Sequence, residues 1–282
     1  MQKNLKSNIN PYQPGFSQNW AFFSYLGNFF APGIRKQALI LFYAVLAMTF
    51  WVYLPAAPRL LTFDESGTSI LLTSLAPEGS QTCWSRLQHL IQNSQQIWGA
   101  FLFFGFIPAL IVKFIFREKL SDYGLTPGIL NHTCRLTCLM VPLSVFAMFF
   151  AGKSSSYLMA YPYDPWLLGD FSGMKEGWPF LVLYFFLYFF VYYLSWEFFF
   201  RGFIQIGTES AVGCFNAILI GTIASTAVHF GVHPFTETVG AIGGGLLWGF
   251  FVYRTRSIFA GWFMHAALGI GLDFFLLYHF LP

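Results

Sequence analysis

The chain has 282 residues, of which 56% are hydrophobic, 21% are aromatic and only 10% are charged. Soluble domains carry roughly 25% charged residues, so this chain has too few charges to solvate a surface of its size. With a net charge of +3, the composition excludes a nucleic-acid-binding domain, a disordered chain and a secreted disulfide scaffold. It favours an all-α fold, a polytopic helical bundle in a membrane.

Apolar segments define the predicted helices, because crossing about 30 Å of hydrocarbon takes about 20 helical residues. We predict seven transmembrane helices, at Gln37–Pro55, Ile97–Phe116, Leu136–Ala151, Trp178–Ile206, Ala211–Phe230, Thr238–Tyr253 and Ile258–Leu281. The third and sixth are short for a full crossing, and the fourth is long enough to tilt or to continue past the interface. Aromatic residues between positions 20 and 30 favour a helix lying in the membrane interface.

Basic residues predict the orientation of the bundle. They cluster before the first segment, around the connection between the second and third, and after the sixth. By the positive-inside rule the amino terminus is cytoplasmic, and seven crossings place the carboxyl terminus outside. We divide the chain into a cytoplasmic or interfacial leader (1–36), amino-terminal transmembrane helices with outer loops (37–177) and a carboxyl-terminal intramembrane core (178–282).

Ionisable side chains within the apolar segments are the candidate functional residues. Each costs roughly 2.5–3.5 kcal/mol at the bilayer centre on insertion scales. The carboxyl-terminal part contains Glu197, Arg201, His229, His265 and Asp273. The i, i+4 spacing of Glu197 and Arg201 predicts a helical ion pair. Two histidines with a carboxylate either ligate a zinc ion or activate a water molecule directly, and these residues leave both possibilities open.

Three ordered motifs carry a resemblance to a known family. They are WEFFFRG at Trp196–Gly202, STAVHFGVHP around His229 and GWFMHAALGIGLD around His265. In these motifs the chain resembles the CPBP family of intramembrane proteases, also called Abi proteins, which includes the type II CAAX prenyl proteases. An upstream DYGLTPG at Asp122–Gly128 is similar to a short loop of many bacterial members, so the resemblance implies the cytoplasmic membrane of a bacterium.

The resemblance also implies a membrane-embedded endopeptidase. In this family a glutamate and a histidine activate water, while a second histidine and an Asn or Asp stabilise the oxyanion. Carried onto this sequence, the catalytic candidates are Glu197, Arg201, His229, His265 and Asp273. Family members have been described both as metalloproteases and as metal-independent, so the cofactor stays open, with zinc on His229, His265 and Glu197 as the metal-dependent alternative.

The sequence departs from the family pattern in each motif. In EExxxR, Trp196 replaces the first glutamate, to which the family assigns the catalytic role, so Glu197 matches the second. In FxxxH, Ser225 replaces the aromatic residue, and in HxxxN or HxxxD, Gly269 replaces the Asn or Asp. Asp273 lies eight residues after the histidine of that motif, about 80° around the helix. It can therefore substitute only if the helix is rotated or bent.

The predicted helix ends also create a geometric difficulty. If the fourth helix ends at Ile206, Glu197 lies about 14 Å from that end, whereas His229 lies about 27 Å along the fifth helix. The two side chains then meet only if the helices tilt or the connection dips into the membrane.

Two main functions follow as expectations. The first is a CPBP-type protease, possessing reduced activity, that acts on a prenylated or otherwise membrane-anchored peptide. The alternative is an inactive protease-fold subunit that binds membrane partners, lipids or pigments. A transporter ranks last, because no inverted repeat relates the halves of the chain. The expected partners are membrane lipids and a membrane-anchored peptide or protein, and no nucleic acid.

Overall fold

The computed structural model describes residues 32–53, 94–161 and 174–280. The predicted interfacial helix at residues 20–30 lies outside these ranges. The long helices are α1 (Pro32–Tyr53), α2 (Gln95–Phe116), α3 (Leu130–Ala151), α4 (174–212), α5 (Cys214–Ala227), α6 (Phe235–Thr255) and α7 (Phe259–Phe280). Short 3₁₀ helices occur at Leu120–Tyr123 and Ser155–Met159. The described residues contain no strand, which confirms the all-α bundle.

Within the described ranges, six helices are long and apolar enough to cross a membrane, and α5 is shorter. Its 14 residues extend only about 21 Å. The predicted boundaries of the fifth segment were therefore wrong at both ends. Gly213, with a φ of 80°, separates α4 from α5, and α5 ends at Ala227, so His229 lies in the turn that follows.

Helix α4 is longer than the sequence predicted. It continues past Ile206 to Val212, and π-helical stretches at Leu187–Tyr193 and Phe198–Ile206 flank a single α-helical turn that ends at Glu197. Glu197 therefore lies fifteen residues before the end of α4, and His229 lies fifteen residues after the start of α5. Both lie roughly 23 Å from this end of the bundle, which removes the difficulty raised by the predicted boundaries.

A cluster of aromatic side chains packs the amino-terminal helices against α4. Trp51 of α1 lies edge-on to Trp196, with ring centroids 5.3 Å apart. Phe104 of α2 stacks on Phe199 at 4.5 Å. All four side chains are buried, and each such ring pair contributes roughly 0.5–1.5 kcal/mol beyond the area it buries. This cluster fixes the face of α4 that carries Trp196.

The loop at Asp122–Gly128 fixes the start of α7. The backbone N–H of Ile258 donates to the carbonyl of Gly124 at 2.9 Å. Gly124 and Gly128 have φ values of 81° and 60°, which favour glycine, and a Cβ at Gly128 would overlap the carbonyl oxygen of Thr255. This loop therefore ties the connection between α2 and α3 to the connection between α6 and α7.

Two ion pairs lie at the same end of the bundle as the loop at Asp122–Gly128. The positive-inside rule assigns this end to the cytoplasm. Lys36 donates to Glu118 at 2.6 Å, Tyr123 donates to the same carboxylate at 2.6 Å, and Arg256 forms a two-pronged pair with Glu209. Burial raises the pKa of Glu118, but the hydrogen bonds from Lys36 and Tyr123 and the Lys36 charge together lower it below its ordinary value.

Candidate intramembrane active site

A cavity of about 280 Å³ lies in the carboxyl-terminal half of the bundle. Helices α3 to α7 and the segment after α3 form its walls. The side chains that line the cavity and can ionise or form hydrogen bonds include Tyr193, Trp196, Arg201, His229, Glu237 and His265. Both motif histidines, His229 and His265, line this one cavity. The indole of Trp196 contacts both imidazoles, with centroid distances of 5.7 Å to His229 and 5.9 Å to His265.

Glu197 holds His265 in a fixed orientation. The Nδ1 atom of His265 lies 2.8 Å from Oε1 of Glu197. A carboxylate oxygen accepts, so Nδ1 carries the proton, and in the neutral imidazole Nε2 keeps its lone pair. The side chain of Glu197 is fully buried, and it is not among the described residues that line the cavity. Glu197 therefore contacts His265 behind the cavity wall, in the arrangement that the carboxylate and histidine of a catalytic triad adopt.

Arg201 balances the buried charge of Glu197. Its Nε lies 3.6 Å from Oε2 of Glu197, which confirms the predicted i, i+4 ion pair. Nε and Nη1 of Arg201 have no hydrogen-bond partner among the described residues, and the guanidinium lies 5.5 Å from the ring centroid of Trp248. The pair therefore depends on charge attraction and on the aromatic face, and Arg201 also presents donors at the cavity wall.

The backbone of α5 fixes the ring of His229. Its Nδ1 lies 2.7 Å from the carbonyl oxygen of Ser225. A carbonyl only accepts, so Nδ1–H donates and Nε2 is left with its lone pair. That atom lies 3.9 Å from Oε1 of Glu237. Both histidines of the family motifs are thus locked at Nδ1 by an oxygen acceptor.

His233 and Glu237 were not identified from the sequence. Nδ1 of His233 lies 3.3 Å from Oε1 of Glu237, which also accepts a hydrogen bond of 2.6 Å from Tyr161. With His229 they place three metal-ligating atoms within 4.8 Å of one another. The i, i+4, i+8 spacing was the available signal, but Glu237 precedes the predicted start of the sixth helix and Pro234 interrupts the pattern.

The structure distributes the predicted metal ligands differently from the sequence prediction. Glu197 and His265 bond to each other, whereas His229 lies with His233 and Glu237. The structure therefore gives His229 different metal-ligating neighbours from those predicted.

Tyr193 occupies the space that Gly269 leaves open. A Cβ at Gly269 would overlap the hydroxyl oxygen of Tyr193 and lie 3.0 Å from its Cε2. The ring of Tyr193 lies 4.7 Å from that of His265. Asp273 is fully buried and accepts a hydrogen bond of 2.8 Å from Tyr184, and it is not among the described lining residues of the cavity. Tyr193, rather than Asp273, lies where the family's Asn or Asp would project.

An apolar bundle that encloses a cavity with two locked histidines and nearby carboxylates defines an integral membrane protein with a protease-like intramembrane site. Residues 178–270 match the model of a family described as type II CAAX prenyl endopeptidase Rce1-like. The matched region contains the first two motifs and most of the third, including His265 and Gly269, so the match supports the resemblance to the CPBP family. No curated protein and no solved structure matches the chain.

Proposed function

We propose that the chain is an intramembrane endopeptidase that cleaves a prenylated or otherwise membrane-anchored peptide, at a lower rate than the complete family motifs would give. The bond between Glu197 and Nδ1 of His265 carries this proposal. It leaves an unprotonated Nε2 on a histidine that lines the cavity, as general base catalysis requires.

His265 is the proposed proton carrier. Its Nε2 takes a proton from water as the water oxygen attacks the peptide carbonyl, and Glu197 stabilises the resulting imidazolium. The same proton then passes to the leaving nitrogen as the carbon–nitrogen bond breaks. His229 and Glu237, on the wall formed by α5 and α6, hold the water through Nε2 and a carboxylate oxygen. Trp196 at the family's glutamate position leaves His265 to act as both base and acid.

Tyr193 is the proposed oxyanion donor. Its hydroxyl lies beside His265, in the space that Gly269 leaves open. The indole N–H of Trp196 is buried and has no hydrogen-bond partner among the described residues, so it is a second donor at the cavity wall. Loss of one oxyanion donor typically slows an enzyme roughly 10²- to 10³-fold.

The setting of the cavity supports a membrane-anchored substrate. Met148, Leu268 and Leu272 add apolar surface to its wall, and large apolar side chains cover the exposed faces of the helices. Membrane lipids and an anchored peptide are therefore the proposed partners. The loop at Asp122–Gly128 supports a bacterial cytoplasmic membrane as the location, and a topology reporter fused to the amino terminus tests the orientation.

The experiment compares variants of the full chain, reconstituted in lipid, on prenylated peptides, with products identified by mass spectrometry. We expect cleavage by the parent protein and none by His265→Gln. The double variant Glu197→Gln, Arg201→Met keeps the site neutral, and we expect it to fold but to lose about 10²- to 10⁴-fold in rate. His132→Gln, on the exposed face of α3, is the matched control.

Two results contradict the proposal. One is cleavage that persists in His265→Gln. The other is a stable, uncleaved complex between the parent and a membrane partner, which supports an inactive binding subunit instead.

A further inference from the structure

We infer that His229, His233 and Glu237 form a binding site for a divalent transition-metal ion, with zinc as the best fit. His233 and Glu237 lie outside the FxxxH pattern that contains His229, and His229 and Glu237 line the same cavity as His265. Its catalytic consequence rests on the proposed function, but binding of the ion does not.

The donor atoms have the spacing that zinc needs. Nδ1 of His233 and Nε2 of His229 lie 3.3 Å and 3.9 Å from Oε1 of Glu237, and all three ligand atoms lie within 4.8 Å of one another. Tetrahedral zinc with bonds of about 2.0–2.1 Å places its ligands roughly 3.3 Å apart. Small side-chain rotations close the remaining gaps.

The surroundings of the ligands match those of a metal site. A metal-ligating histidine usually donates its other N–H to an oxygen acceptor, and the carbonyl of Ser225 accepts from Nδ1 of His229. Tyr161 donates to the carboxylate of Glu237. The side chain of His233 is only 2% exposed. Nδ1 of His233 and Oε2 of Glu237 are buried without a hydrogen-bond partner among the described residues, so an ion would satisfy both.

The site leaves a fourth position open. His229 and Glu237 line the cavity, and two histidines with one carboxylate are a common ligand set of catalytic zinc, whose remaining position holds water. Zinc activates that water as a nucleophile. The free Nε2 of His265, which lines the same cavity, would then accept its proton.

The test measures metal binding directly on the full chain, in detergent, without a histidine tag and with its four cysteines replaced by serine. The last change matters because Cys134, Cys138 and Cys214 are exposed and thiols bind zinc. We expect metal-free protein to bind one Co²⁺ per chain, with the visible absorption of four-coordinate cobalt, and Zn²⁺ to displace it. His233→Gln should abolish this absorption.

A matched pair of conservative variants guards against loss of folding. Tyr161→Phe removes the hydrogen bond to Glu237, and loss of such a partner typically weakens metal affinity about 10- to 100-fold. Tyr157 lies on the same cavity wall, and its hydroxyl bonds to Thr236 at 3.1 Å instead. Tyr157→Phe should therefore leave the affinity unchanged.

Three results would overturn the site: no stoichiometric ion in the parent, a parent-like spectrum in His233→Gln, or equal affinities in Tyr161→Phe and Tyr157→Phe. Cleavage by a parent protein that binds no ion when Co²⁺ or Zn²⁺ is supplied would overturn the site and leave the peptidase proposal standing. Stoichiometric binding of the ion without any cleavage would support the site and overturn the peptidase proposal.

Discussion

Replacing Gly269 with alanine should destabilise the bundle through Tyr193. The new methyl group would overlap the tyrosine hydroxyl and crowd its ring. The ring has little room to move, because Tyr193 is 3% exposed and packs against Tyr188 and His265 at 4.6 Å and 4.7 Å. Overpacking of this kind costs about 1–3 kcal/mol.

The variant Gly243→Ala provides the reference for the change in stability, because an added methyl group meets no other atom there. Gly243, within α6, has no atom within 4 Å of an added Cβ, so Gly243→Ala should gain about 1 kcal/mol from helix propensity. Gly269 lies within α7 and gains the same helix propensity, so the two alanine variants should differ by the overpacking cost of about 1–3 kcal/mol. At about 2–4 °C per kcal/mol for a chain of this size, their melting temperatures should differ by about 2–12 °C.

The assay is thermal unfolding of the purified variants in one detergent. Tyr193→Leu removes every overlapping atom, so Gly269→Ala should cost little in that background, and the double-mutant cycle should show a coupling of about 1–3 kcal/mol. Equal melting temperatures for Gly269→Ala and Gly243→Ala, or additive effects in the cycle, would refute the conclusion that Tyr193 fills the space beside Gly269.

Two further predictions concern the charged pairs. Glu197→Gln or Arg201→Met alone should lower the membrane-expressed yield more than the double variant, because each leaves one buried charge unpaired; equal yields for all three would contradict this. Near the start of α1, the lowered pKa of Glu118 means that its carboxylate stabilises the fold above its ordinary pKa. This contribution is lost as the pH falls from the ordinary glutamate pKa of about 4.3 through the lowered pKa of Glu118 in the folded protein. The melting temperature of the parent should therefore drop more steeply with acid than that of Glu118→Gln. Parallel pH curves would contradict the role given to this ion pair with Lys36.

The sequence was sufficient to predict the fold because apolar length and motif order are local properties. The helices predicted at Ile97–Phe116 and Ile258–Leu281 lie within two residues of α2 and α7. It was not sufficient for the end of α4, because Gly207 directly follows Ile206 but lies inside the helix, and the break occurs only at Gly213. That error, together with the start of α5 three residues later than predicted, misplaced Glu197 relative to His229 along the helix axes.

The chemistry of the site was harder to predict, because it depends on pairs that are distant in the chain. Gly269 was identified as a missing donor, but the side chain that fills its space lies 76 positions earlier, on α4. Nothing in the spacing of the residues indicates this exchange. Glu237 was missed because it belongs to the first turn of α6. Acidic residues are common in the first turn of any helix, so its presence there did not indicate a site.

The wall of the cavity has a mixed origin, and this bears on how such proteins diversify. Met148, Tyr157 and Tyr161 line it from α3 and the segment that follows, whereas the histidines come from the region that matches the family. Exchanging the amino-terminal half between relatives would thus change part of the cavity wall without altering either histidine. The shape of the cavity can therefore evolve on one half of the gene while the histidines stay under separate constraint on the other.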